Sequence, residues 1–202
     1  MKSGPHPYQE ISLGTAGLVL GIILLVLYGV MLAKPETSKE IVKKLPRNSQ
    51  VGTYLMGFGM IWFWLLVAPS GKGIFSSLTM DLGEFNKAKT YLMLGVPLFC
   101  LGMIIYVREF LFVRGLGLCL LMAAAPLLYA SDFESAPLQW IMPTFCYLMI
   151  IKGLYFVGMP YLCRDGVDWA TKTTERWRGL LLGGVVLGFV FVTLGLTVWR
   201  GY

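Results

Sequence analysis

The chain has 202 residues, of which 56% are hydrophobic and only 14% are charged, and its mean hydropathy is +0.69. Ordinary soluble domains carry roughly 25% charged residues, so the composition predicts a single membrane domain over residues 1–202. The chain has one histidine, His6, which precedes the first apolar run. A histidine-ligated haem, a histidine metal centre or a histidine-based nucleophilic site would lack its ligand or base. We therefore expect no cofactor and no metal site.

Six apolar runs are long enough to cross a membrane, which takes about 20 residues of helix. Their bounds are 11–33, 51–68, 91–107, 110–130, 138–163 and 179–199. The first run is longer than the roughly 7 to 15 apolar residues of a cleavable signal peptide, so we expect it to remain in the mature protein. The sequence thus predicts an all-α integral membrane protein with six transmembrane helices, arranged as three successive hairpins.

Lysine and arginine are divided unequally between the two sides of the predicted bundle. Eleven lie in the loops 34–49, 108–114 and 164–178, and five lie on the side that contains both termini. Because short cytoplasmic loops retain positive charge, both termini are predicted to face away from the cytoplasm, with a bacterial inner membrane as the default compartment. The net charge of +6 reflects these loops, and we expect no nucleic-acid partner.

Two of the basic loops contain segments that are typical of a membrane surface. Residues Pro35–Leu45 begin with a proline, which suits a first helical turn, and carry an apolar edge opposite three lysines. We expect a short interfacial helix here that contacts anionic lipid head groups. The segment 165–178 places Trp169 and Trp177 among charged residues, which indicates a second interfacial segment.

Lys152 is predicted to lie deep in the fifth span, because it is twelve residues before Arg164, or about 18 Å along a helix. Intramembrane charges usually face inward, toward a partner, water or a substrate. Candidate partners are Asp81 and Glu84 of the segment 70–90, which is predicted to form an ordered cap, as well as tyrosine hydroxyls, a bound anion or an acidic residue of another protein. Three interpretations stay open: a lysine that is satisfied structurally, a substrate or ion site, and an inter-subunit pair.

Glycines at four-residue spacing predict faces where helix backbones approach closely. They are Gly17 and Gly21 in the first span, and Gly179 with Gly183 and Gly184 with Gly188 in the sixth. We expect these faces to lie at helix–helix contacts, within the chain or with a neighbour.

Tryptophans near the span ends predict an interfacial belt, because tryptophan is enriched at both surfaces of a membrane. The belt would include the run Trp62–Trp64 with Trp140 and Trp199, and the alternative is a surface that binds a pigment, a quinone or a lipid. The four cysteines are scattered without the spacing of a metal site. They are predicted to fill the core as small apolar side chains.

These patterns favour a non-enzymatic membrane subunit or assembly scaffold of a larger complex, because the spans carry few polar groups and the loops are small. The expected partners are the lipid bilayer and either other membrane subunits or further copies of the chain. The alternative is a small anion or carboxylate transporter or channel that uses Lys152. A lipid-modifying enzyme ranks third, since the acidic residues lie at the span ends without a histidine or a metal-binding motif beside them.

Overall fold

The computed structural model describes residues 6–67, 79–80, 83–107, 109–131 and 136–202. Within these ranges the regular structure is helical throughout. The α-helices are α1 (Leu13–Ala33), α2 (Pro35–Lys44), α3 (Ser49–Val67), α4 (Lys89–Tyr106), α5 (Leu111–Ala130), α6 (Ile141–Gly158), α7 (Pro160–Ala170) and α8 (Thr174–Leu196). Short 3₁₀ turns cover Pro7–Glu10, Leu45–Arg47 and Gly83–Ala88.

Six of these helices are long and apolar enough to cross a membrane, namely α1, α3, α4 with its preceding 3₁₀ turn, α5, α6 and α8. The predicted all-α protein with six membrane-spanning helices is confirmed at this level. Short amphipathic helices, α2 and α7, lie between the long ones. The helix α2 has nearly the bounds predicted for the segment Pro35–Leu45.

The fifth apolar run, 138–163, is wrong as a single span, because the structure divides it into two helices. The helix α6 ends at Gly158, and α7 begins at Pro160. Proline has no amide hydrogen with which to continue a helix, and it suits the first position of the next one. Because the residues that follow Pro160 are apolar, the hydropathy pattern does not reveal this break. At 18 residues, α6 is about 27 Å long, close to the thickness of a hydrocarbon core.

The pairing of the long helices differs from three successive hairpins. The most extensive contacts join α1 to α8, α5 to α6 and α3 to α5, followed by α3 to α4. Among the described residues, the successive pairs α1 with α3, α4 with α5, and α6 with α8 make little contact. Consequently α5 is the central helix, with α3 and α6 packed against it.

Glycines on α5 explain its central position. A Cβ atom built at Gly115 would lie 2.9 Å from the backbone nitrogen of Met56 in α3, and one built at Gly117 would lie 2.8 Å from the carbonyl oxygen of Gly153 in α6. Two residues along a helix turn the side-chain direction by about 200°. Therefore α5 approaches α3 and α6 on opposite sides, and the placement of small residues selects its partners.

The two ends of the bundle are distinguished by the segments they contain. We call the end that contains residues 6–12 and 197–202 the terminal side, and the end that contains α2 and α7 the loop side. The first turn of α1 meets the segment 197–202 directly, since the Gly14 amide donates a hydrogen bond to the Tyr202 carbonyl oxygen at 3.3 Å.

A buried core lies on the terminal side, and Trp199 is at its centre. The chain turns after Leu196, which ends α8, and returns the indole to the interior, where it is fully buried with Phe191 and Met142. The indole Nε1 donates to the carbonyl oxygen of Pro137 at 3.1 Å. The predicted place of Trp199 in an interfacial belt is therefore wrong.

On the loop side, α2 and α7 pack around the first turns of α8. Trp177 of α8 is buried, and its Nε1 donates to the carbonyl oxygen of Pro35 and to the hydroxyl of Ser38, each at 3.1 Å. Thr174 donates to the carboxylate of Glu36 at 3.1 Å. These bonds tie α2 to the loop-side end of α8.

Candidate functional site

Lys152 lies on the outside of α6. Its side chain is exposed, and within the described part of the chain it makes no hydrogen bond or ion pair. The expectation that it faces the interior of the bundle is not met. Because α6 ends at Gly158, Lys152 is six residues from the helix end, or about 9 Å rather than 18 Å. Since α6 is about 27 Å long, Lys152 still lies within about 5 Å of the middle of this helix, where a charge without a partner is costly.

The structure does not bring the acidic candidates to Lys152. Glu84 is exposed in the 3₁₀ turn Gly83–Ala88, on the terminal side, whereas Lys152 lies in the loop-side half of α6. Asp81 lies outside the described residues.

The helices α6 and α8 are in contact near the terminal side and separate toward the loop side, where Lys152 lies. Near the terminal side, Phe145 of α6 packs edge-on against Phe191 of α8, with 5.2 Å between the ring centroids. Lys152 lies seven residues farther on the same face of α6 and is exposed. On α8, Leu187 packs against the terminal-side core, but Leu180, seven residues nearer the loop side on the same face, is 43% exposed. We call the exposed loop-side part of these two faces the α6–α8 seam.

Four of the predicted packing glycines lie at the interface between α1 and α8. A Cβ atom at Gly21 would lie 2.7 Å from Val192, and one at Gly17 would lie 2.8 Å from the Trp199 ring. Similarly, a Cβ atom at Gly184 would overlap the ring of Tyr28, and one at Gly188 would lie 3.0 Å from the backbone nitrogen of Leu25. The absence of side chains at these glycines allows the two backbones to meet.

Gly179 and Gly183 do not lie at a contact within the described structure. A Cβ atom at either position has no neighbouring atom within 4 Å. Since Gly183 is one residue from Gly184, it points about 100° away around the helix. This direction places it beside Leu180 on the open side of the α6–α8 seam. The predicted packing of this second pair inside the chain is therefore not observed.

Sequence reasoning did not select Arg114 as a candidate site residue. Its Nε and Nη1 atoms are buried and have no hydrogen-bond partner. Arg114 is in the first turn of α5, and the charge count assigned it to the loop 108–114. The informative signal is its position inside the apolar run 110–130, because a cation within such a run needs compensation.

The described residues offer no group of three histidine, cysteine, aspartate or glutamate side chains that could hold a metal ion. The four cysteines are free thiols, and two of them, Cys100 and Cys146, are buried in the helix contacts. The whole chain matches no known protein family, no curated protein and no solved structure.

Proposed function

We propose that the chain is a non-enzymatic integral membrane subunit or assembly scaffold that binds another membrane protein at the α6–α8 seam. The observation that carries the proposal is the exposed side chain of Lys152, which has no polar partner among the described residues. An ammonium group on a membrane helix is stabilised by an opposite charge on a neighbouring helix. The outward direction of Lys152 favours a partner outside this chain.

The surroundings of Lys152 suit a helix as the partner. Leu148 and Tyr155, one turn before and after it, are 56% and 50% exposed. On α8, the open space at Gly183 lets another backbone approach closely. A partner helix in the seam would cover these apolar side chains and bring a carboxylate to the ammonium group.

The charge pattern favours a partner other than a second copy of this chain. The helices α1, α3, α4, α5 and α6 contain no aspartate or glutamate, and the acid in α8, Glu175, lies in its first turn. The described helices of a second copy therefore supply no carboxylate at the depth of Lys152. The partner we propose carries an aspartate or glutamate inside a membrane helix.

The transporter or channel alternative requires Lys152 to face a pathway within the bundle. Exposure of Lys152 on the outer surface of α6 favours the subunit over this alternative. An experiment can distinguish the two functions. Loss of a transport residue abolishes flux without affecting assembly, whereas loss of a partner-binding residue prevents assembly.

We also propose that the loop side faces the cytoplasm of a bacterial inner membrane, supported by the eleven lysines and arginines in the predicted loops of this side. Single cysteines at Ser3→Cys, Ser135→Cys and Lys39→Cys, in a chain without its four natural cysteines, test this orientation. An impermeant maleimide applied to intact cells should label the first two and not the third. Labelling at position 39 would reverse the orientation.

The subunit function is tested by purification in mild detergent and measurement of the mass of the complex. A photo-crosslinking amino acid at Tyr155, in the seam, should capture the same membrane protein that copurifies with the chain. The matched control is Tyr54, which is 79% exposed on α3 and should not capture it. Capture from both positions, or from neither, would contradict the assignment of the seam.

Charge variants then test the role of Lys152. The variant Lys152→Met should accumulate normally and lose the partner, whereas Lys152→Arg and the control Lys172→Met should keep it. Lys152→Asp should also lose the partner, and changing the partner's carboxylate to lysine should restore binding. Retention of the complex by Lys152→Met would overturn the proposal and leave contact with lipid head groups as the role of this residue. Intact assembly with abolished flux would favour the transporter.

A further inference from the structure

The guanidinium of Arg114 is an uncompensated charge on the loop side of the bundle. Its Nε and Nη1 atoms are buried without a hydrogen bond, and Arg114 forms no ion pair with any described carboxylate. The exposed carboxylate of Glu109, which precedes α5, does not pair with it. A buried cation without a partner is strongly destabilising, and a buried polar group in a native protein is normally satisfied. No described residue compensates it, which favours a ligand as the compensating group.

A second arginine, Arg164, lies close to the residue that precedes α5. Arg164 of α7 is positioned over the ring of Phe110, with 6.0 Å from its Cζ atom to the ring centroid. Phe110 is the N-cap residue of α5, and its carbonyl oxygen accepts the hydrogen bond of the Arg114 amide at 3.2 Å. Phe110 therefore links the two arginines, since the Arg164 guanidinium lies over its ring and Arg114 follows it by one turn of α5. Among the described carboxylates, Asp165 pairs with Arg164 at 2.9 Å on the surface, and none pairs with Arg114.

The local packing keeps this place fixed and accessible. Leu111 and Val113 are fully buried, so the first turn of α5, which carries Arg114, is anchored in the bundle. In addition, α5 contacts the 3₁₀ turn Leu45–Arg47 and α7 on this side. Arg114 as a whole is only partly buried, and of its three guanidinium nitrogens Nη2 is not among the buried atoms, so a ligand can reach the group at Nη2.

We propose that Arg114 and Arg164 form a binding site for a phosphate group at the loop-side end of α5. A guanidinium presents paired N–H donors that match two oxygens of a phosphate, and such charge-assisted bonds are among the strongest in proteins. The phosphate can belong to the head group of an anionic phospholipid or be a free inorganic ion. This site is separate from the α6–α8 seam and does not depend on the proposed subunit function.

Purified full-length protein, stripped of lipid in detergent, tests the site. Thermal unfolding and native mass spectrometry are followed while phosphatidylglycerol, phosphatidylcholine or inorganic phosphate is added in separate titrations. We expect phosphatidylglycerol to bind and to raise the unfolding temperature, and Arg114→Gln to weaken binding about tenfold or more. An effect of inorganic phosphate that Arg114→Gln removes would also support the site and assign it to the free ion.

Two further variants make the result specific. Arg164→Gln changes a half-exposed side chain and should weaken phosphate binding without affecting folding, so it tests the site even if Arg114→Gln does not fold. The control Arg178→Gln removes the same charge from an exposed position on the loop side and should bind as the unmodified protein does. Equal losses in all three variants would show general charge attraction and overturn the proposal. The absence of binding by both phosphatidylglycerol and phosphate would overturn it as well.

Discussion

Two glycine pairs on the same helix, with the same spacing, have opposite surroundings. Gly184 and Gly188 face α1, where any side chain would collide with Tyr28 or Leu25, whereas Gly179 and Gly183 face open space. Both pairs satisfy the four-residue pattern that permits close helix contact. The spacing therefore identifies a surface that a helix can approach, but the partner must present a matching surface.

The helix α1 presents such a surface. Its own glycines, Gly14, Gly17 and Gly21, are buried and meet α8 at the level of Trp199, Phe191 and Val192. On the other face of α8, α6 moves away toward the loop side and leaves Lys152 exposed. The α1–α8 contact therefore holds this chain together, whereas the face of α8 beside Lys152 is available to another protein.

The largest expected effect comes from Trp199, which closes the terminal-side end of the α1–α8 interface. Trp199→Ala should lower the free energy of unfolding by about 3 to 5 kcal/mol, because it leaves a cavity in a fully buried core. Denaturant titration in mixed micelles measures this loss. Trp140→Ala is the control, since Trp140 is 63% exposed and should change stability by less than about 0.5 kcal/mol. Similar losses in both variants would contradict the burial of Trp199.

Gly184→Leu tests the packed glycine face directly. The new side chain overlaps the Tyr28 ring and forces the two backbones apart, so we expect a loss of about 1 to 3 kcal/mol. The same unfolding measurement on Gly183→Leu, one residue away, should show no comparable loss. If Gly183→Leu is as destabilising as Gly184→Leu, the distinction between the two faces fails.

Trp177 anchors the opposite end of the packed face. Trp177→Phe keeps an aromatic ring but removes the pyrrole part of the buried indole, including the N–H group that donates to Pro35 and Ser38, so we expect a loss of about 1 to 2 kcal/mol. Limited proteolysis within α2 should become faster, because this helix loses a link to α8. Trp169→Phe changes an exposed ring and should leave both measurements unchanged.

The smallest effect on stability is expected for Gly183→Leu. The substitution fills open space and should change the free energy of unfolding by less than about 0.5 kcal/mol. Because the leucine would occupy the α6–α8 seam, it should nevertheless reduce recovery of the proposed partner after purification. Full recovery would show that the partner does not use this face of α8.

Much of the helical architecture could be predicted from the sequence, since apolar run length alone identifies a membrane-spanning segment. The predicted run 11–33 and the observed α1, Leu13–Ala33, differ by two residues at one end. The apolar residues after Pro160 hide the break there, and for this reason the predicted distance from Lys152 to the loop-side end of its helix is twice the observed one. Helix pairing could not be read from chain order, because it depends on which glycines of α5 and α8 meet a complementary surface.

The candidate site residues, too, could be predicted only in part from the sequence. Periodicity identified Gly184 and Gly188 as packing positions, but it could not distinguish them from Gly179 and Gly183 without knowledge of the neighbouring helix. Trp199 was misassigned because the turn after Leu196 has no strong sequence signal. Arg114 was missed because a basic residue near a loop is usually explained by topology.

The contact between α1 and α8 has a consequence for how the protein is made. The helix α1 is synthesised before α2 to α7, yet its main partner is α8, which follows them all. At about 5 to 20 residues per second, translation of the intervening segment takes on the order of 10 s. During that interval, the glycine face of α1 must be accommodated by lipid or by an insertion factor. A ribosome stalled before α8 should therefore leave α1 open to crosslinking by the insertion machinery, and release of α8 should end that exposure.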